Sequence, residues 1–302
     1  MKLVDDIMKL KRERNAVILA HNYQLPEIQD IADFVGDSLG LSIQAAGTDA
    51  QVIVFCGVHF MAETAKVLSP QKTVLIPDIN AGCPMADMID ADQLRELKAK
   101  HPQAKVICYV NTTAEVKAEC DLCCTSANAV SIVKDAAKDR DEIIFVPDKY
   151  LGDYVSTEAG RELIIWKGYC PTHAKILPED ILAQKELYPD AVVLAHPECT
   201  PGVRNLADKI LSTEAMCWYA RDMKEKAFII GTEIGILHRI RKENPGKEFY
   251  PASENAICPN MKKITLEKVL WALEGMGPEI TLPRETMAKA KQCIQKMLIY
   301  RA

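Results

Sequence analysis

Three stretches of this chain begin alike, and the spacing between them limits the folds open to it. They are "AVILAHNYQLPEIQDIADFVGDS" from Ala16, "KVICYVNTTAEVKAECDLCCTS" from Lys105 and "VVLAHPECTPGVRNLADKILST" from Val192. Laid together without gaps, His21 falls on Tyr109 and His196, at steps of 88 and then 87 residues. The same offsets superpose Asp33, Asp121 and Asp208, and then Ser38, Ser126 and Thr213. A chain with such a period is three copies of one supersecondary unit. The period places the units at 1–87, 88–174 and 175–302, the last carrying two closing helices beyond Met261 that have no counterpart in the others.

Inside the first unit, "AVILA", "QVIVFCG" and "TVLIPD" are short apolar runs that read as strands. "PEIQDIADFV", "SLGLSIQAAG" and "HFMAETAKVLSP" have helical period, with Pro26 near one start and Pro70 as a stop. Continuous apolar strands alternating with helices predict an α/β fold, with parallel sheets covered on both faces. In such sheets the chemistry collects beyond the carboxyl ends of the strands. One central site between three units would gather the residues that follow those strands, His21, Tyr109 and His196 among them.

The eleven cysteines sort by the same ruler. Cys83-Pro84, Cys170-Pro171 and Cys258-Pro259 recur at steps of 87 and 88 residues, one Cys-Pro in a loop of each unit. Proline lacks a backbone N–H and biases the residue before it towards extended geometry, which suits a loop. Packing cysteines inherited by duplication would also recur in phase. Three converging thiolates could instead hold a metal centre with one position free, and an iron–sulfur cluster tolerates ligands from separate loops better than zinc, whose cysteine sites favour local pairs. A disulfide framework is not expected, because "MKLVDDIMKLKRERN" reads as a charged amphipathic helix rather than an export signal and the cytoplasm is reducing. The other eight cysteines read as small buried hydrophobes. "CDLC", Cys120 to Cys123, has metal or redox spacing but no second pair, and is placed on a helix packed against its sheet.

Ser38, Ser126 and Thr213 stand where helices begin, as N-caps or, through their threefold recurrence, as hydroxyls for a carboxylate or phosphate. His21 and His196, with Tyr23 and Glu198 two residues beyond them, form a candidate acid–base set. "GDSL" at residues 36–39 matches a serine-esterase string, but the late Asp-x-x-His such an enzyme needs is missing, and Ser38 has in-phase partners. The net charge of −5, with Lys and Arg spread along the chain, gives no footprint for nucleic acid, and no apolar run is long enough to span a membrane.

At these residues the chain resembles the quinolinate synthase family of de novo NAD biosynthesis. The motifs are "AHNYQ", "IQDIADFVGDSL", "AGCPMA", "YVNTTAEVKA", "CTSANAV", "HPE", "GTEIG" and "CPNMKK", in order along nearly the whole chain. The resemblance implies three α/β/α sandwich domains about a pseudo-threefold axis. It implies a [4Fe–4S] cluster held by Cys83, Cys170 and Cys258, with one open iron acting as a Lewis acid in dehydration. It further implies that iminoaspartate and dihydroxyacetone phosphate are joined to quinolinate, with coupling to the enzyme supplying the imine. His21, Ser38, Tyr109, Asn111, Ser126, His196, Glu198 and Thr213 would bind substrate, Tyr23 and Glu198 would transfer protons, and Tyr109 would lie near the open iron. Where some members carry C-x-x-C-x-x-C at the last ligand, Ala252 and Asn255 replace the first two cysteines, so no thiol switch is implied. A non-catalytic three-lobed binder is the rival reading; it needs the cysteines but not Tyr23, Tyr109 and Glu198. "PDKYLGDYVSTEAG" and "GTEIGILHRI" hold glycines that a lid could use.

Overall fold

The computed structural model describes residues 2–139 and 141–300. Its elements follow one string three times over. The first unit runs α1 (Lys2–Glu13), β1 (Ala16–His21), α2 (Pro26–Ile31), β2 (Phe34–Gly36), α3 (Ser38–Gly47), β3 (Val52–Cys56), α4 (His59–Leu68) and β4 (Thr73–Leu75). The second runs α5 (Ala91–Lys100), β5 (Lys105–Tyr109), α6 (Ala114–Lys117), β6 (Leu122–Cys124), α7 (Ala129–Ala136), β7 (Ile143–Val146), α8 (Lys149–Ala159) and β8 (Ile164–Ile165). The third runs α9 (Pro178–Leu187), β9 (Val192–Ala195), α10 (Pro201–Arg204), β10 (Lys209–Ile210), α11 (Thr213–Asp222), β11 (Ala227–Gly231), α12 (Ile236–Glu243) and β12 (Glu248–Pro251). Helices α13 (Leu266–Gly275) and α14 (Arg284–Ile299) close the chain.

Each unit makes a four-stranded parallel sheet, in the orders β2-β1-β3-β4, β6-β5-β7-β8 and β10-β9-β11-β12. The inner strands β3, β7 and β11 are almost wholly buried, as strands covered on both faces must be. In every unit the chain moves outward from its first strand and then returns to the other side of it. The crevice at that reversal, beyond the carboxyl ends of β1/β3, β5/β7 and β9/β11, is where an open α/β sheet presents ligands. Among the described residues no helix is long and apolar enough to cross a membrane.

The helix expected over "PEIQDIADFV" stops at Ile31, and Phe34–Gly36 forms an edge strand instead. The cause is Asp33, whose carboxylate accepts the Ile18 amide at 2.8 Å while its own N–H donates to the Ile18 carbonyl at 2.9 Å. Asp121 does the same to Val106, and Asp208 to Val193, each carboxylate at 2.8 Å. The in-phase aspartates are thus scaffold: each pins the start of an edge strand to its neighbour. The same pin corrects the placement of "CDLC". Pairing begins at Asp121, so Cys123 lies in β6 and Cys120 in the turn before it, not on a helix.

The glycines considered for a lid have other duties. Gly152 is inside α8, where an added Cβ would stand 2.8 Å from Ile165, and Gly160 ends that helix at φ 62°.

Apolar packing divides the molecule unevenly. The first two units and the closing helices share one continuous core, whereas the third unit has two small cores of its own, one on each face of its sheet. Replacing Asp121 with Ala is expected to cost about 1–2 kcal/mol, the scale of one lost hydrogen bond to a partly buried amide. Urea unfolding measures it. Asp121→Asn, which keeps an acceptor oxygen, should recover most of that loss.

Candidate active site

All twelve site residues singled out from the sequence line one cavity: Cys83, Cys170, Cys258, His21, Tyr23, Ser38, Tyr109, Asn111, Ser126, His196, Glu198 and Thr213. They reach it by a common plan. The ends of β1, β5 and β9 supply the pairs His21/Tyr23, Tyr109/Asn111 and His196/Glu198; the ends of β2, β6 and β10 supply the hydroxyls; the loops after β4, β8 and β12 supply the thiols. Val58, Phe60, Met61, Met85 and Met261 give the cavity an apolar wall.

The hydroxyls do not cap their helices. Asp37 caps α3 through the Gly40 amide at 2.8 Å, and Ser212 caps α11 through the Ala215 amide at 3.3 Å, leaving Ser38 and Thr213 as the first helical residues. In the second unit Asn128 and Thr125 bond one another ahead of α7. The three hydroxyls therefore face the cavity from beside helix N-termini, where partial positive charge favours anions.

Each Cys-Pro opens a tight turn, continued by 3₁₀ turns at Ala86–Met88, His173–Lys175 and Met261–Lys263. In all three the cysteine sulfur accepts a backbone N–H from the residue three places on, and the cysteine carbonyl accepts the amide four places on, at 3.1, 3.0 and 3.4 Å. Such N–H groups stabilise sulfur that carries negative charge. Burial pushes the Cys83 thiol up to about 12 and raises Cys170 and Cys258 as well, so these sulfurs ionise only with a positive partner.

The two histidines share one arrangement. The amide two residues on donates to Nδ1, from Tyr23 to His21 at 3.2 Å and from Glu198 to His196 at 3.3 Å. In the neutral ring this leaves the proton on Nε2, and His196 Nε2 lies 3.1 Å from Ser126 Oγ. Burial pushes both imidazoles down to about 3, so at neutral pH they are uncharged donors.

Glu198 is the buried anion of the site, 3% exposed. Burial opposes its charge, but His173, His196 and Tyr109 outweigh that cost and hold its carboxyl well below the usual range. Tyr109 Oη donates to Oε1 at 2.5 Å, and His173 Nδ1 meets Oε2 at 2.9 Å. His173 Nε2 lies 2.8 Å from Thr232 Oγ1, which lies 2.6 Å from Tyr23 Oη. With the proton of His173 on Nδ1, every donor in the series Tyr23–Thr232–His173–Glu198 finds an acceptor. Burial, and then the Glu198 charge, raise both tyrosines well above their ordinary value, so they remain protonated donors.

His173 and Thr232 were not among the residues read from the sequence. His173 follows Cys170 by three places, where the other units have Ala86 and Met261, so a search for in-phase residues passes over it. Thr232 stands in "GTEIG" after β11. That segment is a fixed support: an added Cβ on Gly235 would lie 2.8 Å from the Tyr23 carbonyl carbon, the Glu233 carboxylate and the Lys262 ammonium. Glu233 Oε1 accepts the Cys258 amide at 3.1 Å and pairs with Lys262 at 2.9 Å, tying this segment to the third cysteine turn.

Two groups of side chains bring their donor atoms within 4.8 Å of one another among the described residues: Cys170 with His173 and Glu198 in this cavity, and Cys108, Cys123 and Cys293, a buried trio that could bind a metal. Cys83 and Cys258 join neither group, although Cys83 acts electrostatically on Cys170, and Cys258 on Cys83. The in-phase sulfurs thus surround a space wider than one ion, which fits a multi-atom cluster better than a single zinc.

A family model described as "Quinolinate synthetase A protein" matches residues 5–299. Relatives named quinolinate synthase include one from Dehalococcoides mccartyi, 58% identical over 292 residues (97% of this chain and 96% of the relative). Another, from Thermodesulfovibrio yellowstonii, is 54% identical over 298 residues (98% of each chain). "Quinolinate synthase 1" of Methanosarcina acetivorans is 53% identical over 296 residues (98% and 97%).

For the imidazoles, ¹⁵N NMR is expected to show His21 and His196 still neutral, with the proton on Nε2, at about pH 5.5, where an ordinary histidine is mostly charged. A titration of either ring near its ordinary value would contradict the geometry. The sign for stability follows: the unfolded chain takes up these protons as pH falls below about 6.5 and the folded one does not until about pH 3, so both rings make the fold less stable across that window as pH drops.

Proposed function

Because the chain belongs to the quinolinate synthase family, we propose that it condenses iminoaspartate with dihydroxyacetone phosphate to quinolinate, releasing phosphate and two waters in NAD biosynthesis. The observation that carries this reading is the cavity itself. Three identical cysteine turns, one per unit, open onto it beside a desolvated Glu198, and no lysine or arginine is among its described lining residues. In a lining without cationic side chains, a metal centre on the three thiols would be the Lewis acid for a substrate oxygen.

Cys83, Cys170 and Cys258 would hold a [4Fe–4S] cluster, three thiolates for four irons. When bound, such a cluster supplies one open iron with Lewis acidity towards an oxygen ligand.

The chain's own residues divide the remaining work. Ser38, Ser126 and Thr213, at the helix N-termini, receive carboxylate or phosphate oxygens, and Asn111 and the Nε2–H groups of His21 and His196 add neutral donors. Carbon–carbon bond formation requires a proton to be taken from carbon, and Glu198 is the group kept ionised for it. Dehydration requires a proton to be given to the departing hydroxyl, and Tyr23 is a phenol kept protonated for that purpose. Thr232 and His173 link the two in one hydrogen-bonded series that, with the His173 proton on Nδ1, runs from Tyr23 towards Glu198. Tyr109 holds the carboxylate in place from its other oxygen.

Glu198→Gln is expected to lower turnover by about 10²–10⁴-fold, the range for a general acid–base group, with iron and sulfide content unchanged. A non-catalytic three-lobed binder would be indifferent to this change. Anaerobic purification with iron and sulfide analysis tests the cluster: Cys83→Ser, Cys170→Ser and Cys258→Ser should each strip it. A colourless, iron-free wild-type protein, or an intact cluster in any of these variants, would sink the assignment.

A further inference from the structure

A second set of thiols meets away from the cavity, on the other face of β5. Neighbouring side chains on a strand point to opposite faces, so where Tyr109 turns to the cavity, Cys108 turns to α14. There its sulfur lies 3.7 Å from that of Cys293, and these two and Cys123 are all within 4.8 Å of one another, fully buried. A fourth thiol, Cys120, neighbours Cys108 and donates its S–H to the Val116 carbonyl at 3.1 Å. Two strands, a turn and the last helix of the chain converge on this point.

The spacing is that of ligands around one ion. Tetrahedral zinc with Zn–S of about 2.3 Å holds its sulfurs about 3.8 Å apart, whereas a disulfide brings them to about 2.0 Å.

Charge supplies a second, independent observation. Lys117, 1% exposed, lies close by; its ammonium donates to the carbonyls of Val110 and Thr112 and sits 5.3 Å over the Phe60 ring. Among the described residues no carboxylate comes within ion-pair distance of it, and a cation buried without an anion is costly. Its charge instead acts on Cys108 and Cys123. A divalent ion on four thiolates carries two negative charges, one of which the lysine balances.

We propose that Cys108, Cys123 and Cys293, with Cys120 as fourth donor, bind one soft divalent cation of the zinc type, which staples α14 to the second sheet. Each ligand thiol releases its proton to solvent as the metal binds. The site is structural: it is closed by protein sulfur and has no access for substrate. It accounts for "CDLC", which lacks a second pair in sequence because its partners come from β5 and from a helix 185 residues beyond Cys108.

The test uses the full chain with its iron, produced anaerobically in zinc-supplemented medium and dialysed against a weak chelator. About one zinc per chain is expected, with a zinc-edge X-ray absorption spectrum showing a sulfur shell. Cys293→Ala should lower zinc at least tenfold while iron and sulfide stay constant, and Cys120→Ala should exchange one sulfur for a lighter atom. Loss of zinc should also speed amide exchange in α14. Iron-replete wild-type protein without zinc, or zinc bound without sulfur neighbours, overturns the proposal. So does zinc that persists in both Cys293→Ala and Cys123→Ala. Should the alanine variants fail to fold, the wild-type metal content and spectrum still decide.

Discussion

An ionised carboxylate has been taken out of water where three units meet, and much of the site is arranged around keeping it charged. Burial alone would protonate Glu198. It remains a carboxylate because His173 approaches from the loop of the second cysteine, His196 from its own strand end and Tyr109 from the second unit. Its field then sets the state of its neighbours. It raises the phenols of Tyr23 and Tyr109, and with burial it pushes the Asp148 carboxyl at the start of α8 up to about 8. One acid that stays ionised beside others that stay protonated is the condition for moving protons in a definite direction.

The threefold period was legible because duplication copies backbone requirements along with chemistry, and this is also where it misleads. Asp33, Asp121 and Asp208 recur as faithfully as the cysteines, yet they pin edge strands. Ser38 and Thr213 look like caps, yet the residue before each does the capping. Periodicity says that a position matters in every unit, not whether it serves the scaffold or the cavity. It is silent on whatever only one unit does. His173 has no partner in phase, and Thr232 is recognisable only once β11 is seen to end beside Tyr23. The thiols of Cys108 and Cys293 could not be paired from the sequence, because helix α14 belongs to no repeat.

The histidines show how a local turn becomes chemistry. The amide at the second residue after His21 and after His196 bonds to Nδ1, so the proton is assigned to the cavity side by the backbone. Pro84, Pro171 and Pro259 act similarly for the thiols, turning the chain so that following amides point at sulfur. In both cases the recurrent feature is a piece of main chain; the side chain it carries has been free to differ, as Tyr109 differs from the two histidines.

The uneven division of the core has a further consequence. The first two units are joined by a shared apolar interior, but the third meets them largely through polar contacts. Asn22 bonds Thr213, Tyr23 bonds Thr232, Gln29 bonds Gly235, Ser126 bonds His196, and Arg204 reaches the carbonyl of Tyr150. Groups of this kind exchange partners with water at little net loss, whereas parting an apolar interior does not. The seam is therefore the line along which the molecule separates at least cost, and it runs straight into the cavity.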